Sequence, residues 1–453
     1  MAATTQGRGC RGRAVSIFVQ SLLGAFADDK TSQPGQEIAW LNAARQDNLQ
    51  AVVNSGLPTT HNEAWKYTAL RTIDQRVFAS RDAQAAHHKI DPAELALPEV
   101  NGARLVFVNG TFRADLSRLA DLPQGLDVQP LSALLQSDAE PLRFFLARNF
   151  KNKAESFARL NAAFANDGAV VRVAAGAQIA TPVHLVFVGA CADADIAWHA
   201  RNIFELGEGA RVDIVEHHLD ADAHANLGNV LAEYRLRENA TLNLLRIQNE
   251  GEKVSLIQHS EFSLAKHARL HLNNLDLGAA LGRHDLRIDL LGDHAFASVR
   301  GVFVLDKRQH IDNQLSVDHR ALNTRCDLFW RGVADGRARG VFNGAITIHA
   351  GADGADARLS NKNLLLSAQA EIDTKPVLEI HADEVQASHG ATVGQLDESA
   401  LFYLRSRGVP LAQARVLLIQ AFCAQALAQI EPLALREHVT QLLQARLPQE
   451  LKP

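Results

Sequence analysis

The segments EGARV (Glu208–Val212), ENATLNLLRIQ (Glu238–Gln248), KHARLHLNNLDL (Lys266–Leu277) and DHAFA (Asp293–Ala297) decide the fold. Each sets a polar or small pair before an alanine and then enters a run that alternates apolar and polar residues. The alanines, Ala210, Ala240, Ala268 and Ala295, are 30, 28 and 27 residues apart. A fixed period of this size signals a repeat architecture in which each unit stacks on its neighbours. AGAQI at Ala177 and SAQAEI at Ala370 look like further copies.

Alternation at period two is the signature of half-buried strands, and it persists from about Ala103 to Ala387, in ARLVFVNG, ARVDIVEHH and AEIDTKPVLEIHA among others. Between one alanine and the next there is room for two short strands and their turns, and no helical run intervenes. GEKVSLIQHSEFSL (Gly251–Leu264) fills that place between Ala240 and Ala268. Parallel strands stacked rung on rung satisfy the pattern. A β-sandwich would not repeat one corner motif, so a β-helix or related solenoid is expected.

On either side of this region the texture is helical. EIAWLNAARQDNLQAVV (Glu37–Val53) has helical apolar spacing, and in the segment after it Thr60 and Glu63 stand at capping-box spacing. Pro92 and Pro98 mark the end of this part. After Thr392 the chain returns to helix, with Asp397 as cap, Gly408 at the left-handed position and Pro410 opening the next helix. LAQARVLLIQAFCAQALAQI has a broad apolar stripe, expected to pack on the solenoid, and Pro432 separates it from a last amphipathic helix. The division predicted is a helical part over 1–98, a β-helix over 99–390 and closing helices over 391–453.

Bulk properties exclude several classes. The net charge of −5 argues against nucleic-acid binding, and no apolar run approaches the roughly 18 residues that span a bilayer. Cys10, Cys191, Cys326 and Cys423 form no CxxC pair, which fits a reducing, cytoplasmic setting. Arg8, Arg11 and Arg13 with no acid before Asp28 have some transit-peptide character, but read more simply as a basic lead into the first helix. Phosphate-loop, dinucleotide, HExxH and GxSxG motifs are missing, so no ATP site and no familiar catalytic machinery is expected.

Nineteen histidines invite a search for metal ligands. His217, His218 and His224 are the densest group, but adjacent strand residues face opposite ways, so this reads as a polar strand end. Glu379, His381 and Asp383 would share one face of an extended strand, with His389 just beyond. Imidazole with carboxylates suits iron or zinc, although by pattern alone a solvated strand face is the simpler reading.

The residues around that histidine carry a resemblance. ASHGATVGQLDESALFYLRSRGV (Ala387–Val409) closely resembles the C-terminal signature of the SufD family, subunits of the Suf iron–sulfur cluster assembly complex. NEAWKYTAL (Asn62–Leu70), RARGVFNG (Arg337–Gly344) and NKNLLLSAQAEIDTKPVLEIHADEV (Asn361–Val385) are similar to further stretches of the family. The similarity begins near Glu37. It implies a right-handed parallel β-helix between helical N- and C-terminal domains. It also implies pairing with the paralogue SufB through the last β-helix strands, and binding of the ATPase SufC through the C-terminal helices. A homodimer is a further possibility. The family's SHGAT histidine, implicated in building the nascent cluster at the SufB interface, corresponds to His389.

Two positions favour SufD over SufB: Gly390 stands where SufB has an acidic residue, and Ser360–Ser367 lacks SufB's cysteine. Ala387 stands where some SufD proteins have a cysteine, which removes a thiolate ligand and leaves the imidazole alone. By the resemblance the chain is a non-enzymatic scaffold, with His389 as its one candidate metal and cofactor residue and the cluster bound only transiently. The alternative is a carbohydrate-active β-helix enzyme of the pectate lyase kind. The SHGAT signature and the apolar closing helices count against it.

Overall fold

A computed structural model describes residues 16–29 and 33–447; Cys10 and the N-terminal arginines lie outside them. From Ala169 on, consecutive strands alternate between two facing sheets, so each rung gives one strand to each. The first sheet ends in Phe296–Leu305, Arg325–Ala334, Asp356–Leu365 and Gln386–Gly394, and the second in His310–His319, Arg339–Ile348 and Glu371–Ile380. Successive strands within each run are parallel and in register. The result is a parallel β-solenoid of about eight turns flanked by helices, the architecture expected from the repeat and the resemblance.

The corner motif has a backbone cause. The residue before each corner alanine lies in the left-handed region: Gly209 (φ 64°), Asn239 (58°), His267 (56°) and His294 (60°), continued by Asn323 (54°) and Gly354 (73°). Glycine pays no steric cost there, and Asn and His tolerate it better than most residues. Each of these N–H groups donates to a carbonyl of the next rung, from Gly209 to Glu238 through Gly354 to Glu384, at 2.7–3.0 Å. The alanine that follows points inward and is fully buried in all four copies. Ala177 belongs to the same corner, since Gln178 bridges to Arg211. Ala370 does not; it precedes Glu371 in the second sheet and sits at the opposite edge.

Inward-facing residues of both sheets form the main core. It is filled by swapping large and small side chains between neighbouring columns. Trp330 lies over Gly301, where a Cβ would fall 2.3 Å from Trp330 Cε2, and Phe303 lies over Gly332, where a Cβ would fall 2.2 Å from Phe303 Cζ. Gly301→Ala is therefore expected to destabilise the fold by about 1–3 kcal/mol, as overpacking does. Chemical denaturation measures this, and an unchanged midpoint would show that Trp330 can move aside.

Helices cover the outer faces. Ile17–Asp29 and Ala39–Ser55 pack with Leu131–Ser137, Arg143–Leu146 and Ser156–Phe164 around the outer face of the second sheet. The last three were not anticipated, because period-two texture was expected from Ala103 onward. Their anchors are side-chain pairs that only tertiary structure brings together. Arg148 bridges Glu233 and Glu261, and Trp65 stacks on Phe157 at 5.7 Å under the Arg283 guanidinium. The NEAWKYTAL segment thus straps across the sheet. Thr68 Oγ1 donates to Asp312 Oδ2 at 2.5 Å, and Glu63 reaches Lys375 on the final strand of the sheet. Thr60 and Glu63 form no capping box; Asn62 takes the cap position and its Oδ1 accepts from Thr59 N–H at 2.9 Å.

Asp397 Oδ1 caps Glu398–Ser406 by accepting from Ser399 N–H at 2.8 Å, and Gly408 has φ 87°. Leu411–Leu427 and Leu433–Arg446 bury Ile419, Cys423, Leu427, Val439 and Leu443 on Leu245, Ile247, Val302 and Val333 of the first sheet's outer face. No helix among the described residues is long and apolar enough to cross a membrane.

Candidate functional site at the open end of the solenoid

The two sheets end in Gln386–Gly394 and Glu371–Ile380, and among the described residues neither strand has a neighbour on its far side. Backbone direction at each edge follows from the bonds that are made. His381 N–H donates to Ile348 O and Glu371 N–H to Ala338 O, so odd-numbered N–H groups of this strand face inward to the sheet. By alternation, the N–H groups of Ile372, Thr374, Leu378 and Ile380 face the free edge, where Pro376, which has none, fits without loss. In the companion strand Gln386 N–H donates to Ala355 O, leaving Ala387, His389, Ala391 and Val393 to offer theirs outward along the axis.

The register fixes where His389 points. Val183, Ile214, Leu244, Leu272, Val299, Leu328 and Leu359 are successive register partners, and the next in line is His389. All seven aliphatic residues are buried in the core between the sheets. His389 therefore occupies the inward face, at an apolar periodic position. It is exposed because no further rung covers it. Ala387 and Ala391 flank it on the same face with little bulk, while Ser388, Gly390 and Thr392 face outward. Among the described residues His389 makes no hydrogen bond or ion pair, so its imidazole is uncommitted.

Just below it, the core carries a small polar group that the sequence reading missed. Asn363 Nδ2 donates to Asn361 Oδ1 at 2.6 Å and to the Thr392 carbonyl at 3.1 Å, and Thr374 Oγ1 donates to Asn361 Oδ1 at 2.7 Å. Both asparagines are buried. Their spacing from inward-facing Leu359 was the available signal, since i, i+2 and i+4 share one strand face. These bonds pin the terminal strand that carries His389.

The other candidates are not brought to this place. His381 and Asp383 lie in the turn after Glu371–Ile380, so Glu379, His381 and Asp383 do not share a strand face. His217 and His218 face opposite ways near the end of strand Arg211–Asp220, and both are buried. His218 Nε2 lies 2.7 Å from Glu216 Oε1, and His224 Nε2 lies 2.9 Å from Asp220 Oδ1. Among the described residues, no group of three His, Cys, Asp or Glu side chains is placed to hold a metal ion.

Among the described residues, no cysteine lies in the terminal rung. Cys326 lies fully buried 3.3 Å from His319 Nε2, with its thiol pushed up to about 12 by burial and the His319 imidazole lowered to about 4 by the same cause. Burial also pushes Cys423 up to about 12, and Cys191 is exposed, at the far end of the solenoid. Within Gln386–Gly394 the one imidazole is that of His389, and the strand carries no thiol.

Comparison with known proteins supplies the remaining finding. Residues 188–422 match the family described as SUF system FeS cluster assembly, SufBD core domain, and residues 19–185 match the SufBD protein N-terminal region. An iron–sulfur cluster assembly SufBD family protein of Synechocystis is 30% identical over 91% of this chain and 92% of its own length. The iron–sulfur cluster assembly protein SufD of Escherichia coli is 29% identical over 89% and 92%, and that of Bacillus subtilis is 23% identical over 92% and 96%.

Proposed function

Since the chain belongs to the SufBD family of iron–sulfur cluster assembly proteins, we propose that its open last rung is where a SufB-type partner adds and where His389 handles nascent cluster. The observation that carries this reading is the break in the aliphatic column. Seven rungs place Val, Ile or Leu at one inward position, and the eighth places an imidazole there. A chain end selected only for packing would keep the aliphatic residue or cap it.

Chemically, the site works by completion. An added strand can take up the free-edge N–H and C=O groups and at the same time cover His389. A neutral imidazole nitrogen then has iron as a partner, while sulfide and thiolate come from the other chain. Ala387 and Ala391 leave room for that partner's side chains. ATP hydrolysis in this scheme belongs to a SufC-type subunit, and this chain acts as scaffold. Family membership displaces the polysaccharide-lyase alternative.

The closing helix Glu398–Ser406 suits the SufC-type contact. It buries Leu401 but leaves Phe402 and Tyr403, 75% and 57% exposed, side by side. Exposed aromatics in such a patch are typical binding anchors. Phe402→Ala with Tyr403→Ala is expected to weaken retention of SufC by about tenfold or more, with circular dichroism unchanged. Retention at the wild-type level would move the contact elsewhere.

The direct test is anaerobic co-expression with SufB and SufC. The purified complex is expected to contain all three chains and to hold iron and sulfide. A complex that forms and loads without this subunit would sink the reading.

A further inference from the structure

On the outer face of the first sheet, where the closing helices stop short of the last two strands, two arginines lie together. Arg331 is 3% exposed, yet no carboxylate lies within 4.0 Å of it among the described residues. Its Nη1 donates to the Trp330 carbonyl at 2.9 Å and at the margin to Ser360 O and Oγ at 3.4 Å. Its Nε is buried without a partner, and so is the Nε of Arg300. Both guanidiniums lie against the Phe329 ring, Arg331 at 3.7 Å and Arg300 at 5.0 Å from its centroid, and the Phe422 ring lies 5.7 Å from Arg331. Among the described residues, the only carboxylate within 4.0 Å of either guanidinium is Asp327, 3.6 Å from Arg300 and itself partly exposed.

Aromatic faces help to desolvate a guanidinium, but they do not cancel two like charges. Removing such charges from water without a counter-ion is costly, and here burial, together with the Arg300 charge, lowers Arg331 to about 10. Lys362, the register neighbour of Arg331, adds a third cation; it is exposed and makes no ion pair among the described residues. Ser360 offers a hydroxyl, and above its neighbour Gly390 nothing lies within 4 Å of a built Cβ.

We propose that Arg331, Arg300, Ser360 and Lys362 form an oxyanion-binding site on the outer face of the solenoid, distinct from the inward-facing His389. Planar guanidinium donors fit the oxygens of a phosphate or carboxylate group, and a hydroxyl and an ammonium complete the set. The oxyanion is either a free one or a carboxylate on a chain docked along the last strands. The site does not rest on the assignment of His389.

Phosphate-31 line widths of inorganic phosphate, titrated with the isolated chain at constant ionic strength, test the first source. Saturable broadening that weakens about tenfold or more in Arg331→Met, the worth of one charge-assisted hydrogen bond, assigns a free oxyanion. Lys362→Gln, at an exposed position, serves if Arg331→Met fails to fold. If the wild-type chain leaves phosphate unaffected, charge reversal in Lys362→Glu and Arg331→Glu tests the second source. A salt-sensitive loss of SufB retention, about tenfold, assigns a carboxylate on the docked chain. Phosphate broadening that survives both neutral substitutions overturns the proposal, as does silence in both arms.

Discussion

Cells that depend on this assembly route are expected to lose cluster formation when His389 becomes alanine, although the protein itself stays folded. His389 is exposed and unbonded, so the substitution should change stability by no more than about 0.5 kcal/mol. Subunit ratio in the purified complex is expected to be normal, while iron and sulfide content falls to background. His389→Leu separates chemistry from packing. Leucine would continue the column formed by Leu328 and Leu359 and favour burial by an added rung. It should still fail in assembly, because no other imidazole or thiol stands on the inward face of that strand. His381→Ala, in the turn before it, should have a milder effect. Assembly at the normal rate in His389→Leu would reduce the residue to a spacer.

The second large effect concerns the free edge. Ile380→Pro removes an N–H that faces the free edge and bonds to nothing among the described residues, so the solenoid should fold as before. Pairing with a second chain should weaken by at least about tenfold, since one donor is lost and the ring obstructs approach. Leu244→Pro is the control. Thr241 N–H donates backward to Ala210 O, so the N–H of Leu244 points forward into the ladder with Arg269–Asp276. Its loss in a central strand should cost roughly 3 kcal/mol or more and impair folding itself. Analytical ultracentrifugation with the partner chain, read beside thermal melts, distinguishes the two. Equal melting losses at both positions would mean that the last rung is not a free edge.

What was legible in the sequence was the part that repeats. The corner alanines could be read because the residue before each must tolerate a left-handed backbone and the alanine must fit inside the bend. Those are local demands, made again at every turn. Asp397, Gly408 and Pro410 were legible for the same reason, as each answers a local backbone need. The helices between Leu131 and Phe164 were not, because what holds them is Arg148 against Glu233 and Glu261, more than eighty residues away. The candidate site divides in the same way. His389 could be found from its neighbours, but its direction could not. Facing inward or outward depends on the register with Leu359, a pairing across thirty residues that no spacing rule within Ser388–Gly390 contains. Likewise the period-two reading of Glu379, His381 and Asp383 assumed a strand that ends at Ile380.

The uncapped last rung bears on the order in which the molecule opens. Every interior turn is held by two neighbours about thirty residues away in each direction, whereas the final turn has only one. In a nearly one-dimensional stack the energy of each unit is the sum of its own and its neighbour terms, so a unit with a single neighbour unzips first. Backbone amides from Glu371 to Gly394 should thus exchange their hydrogens well before those around Leu244, even in a fully native sample. Docking of a second chain would convert this fraying terminus into an interior turn. Assembly and local ordering then become one event, and the imidazole is held rigidly only while the partner is present.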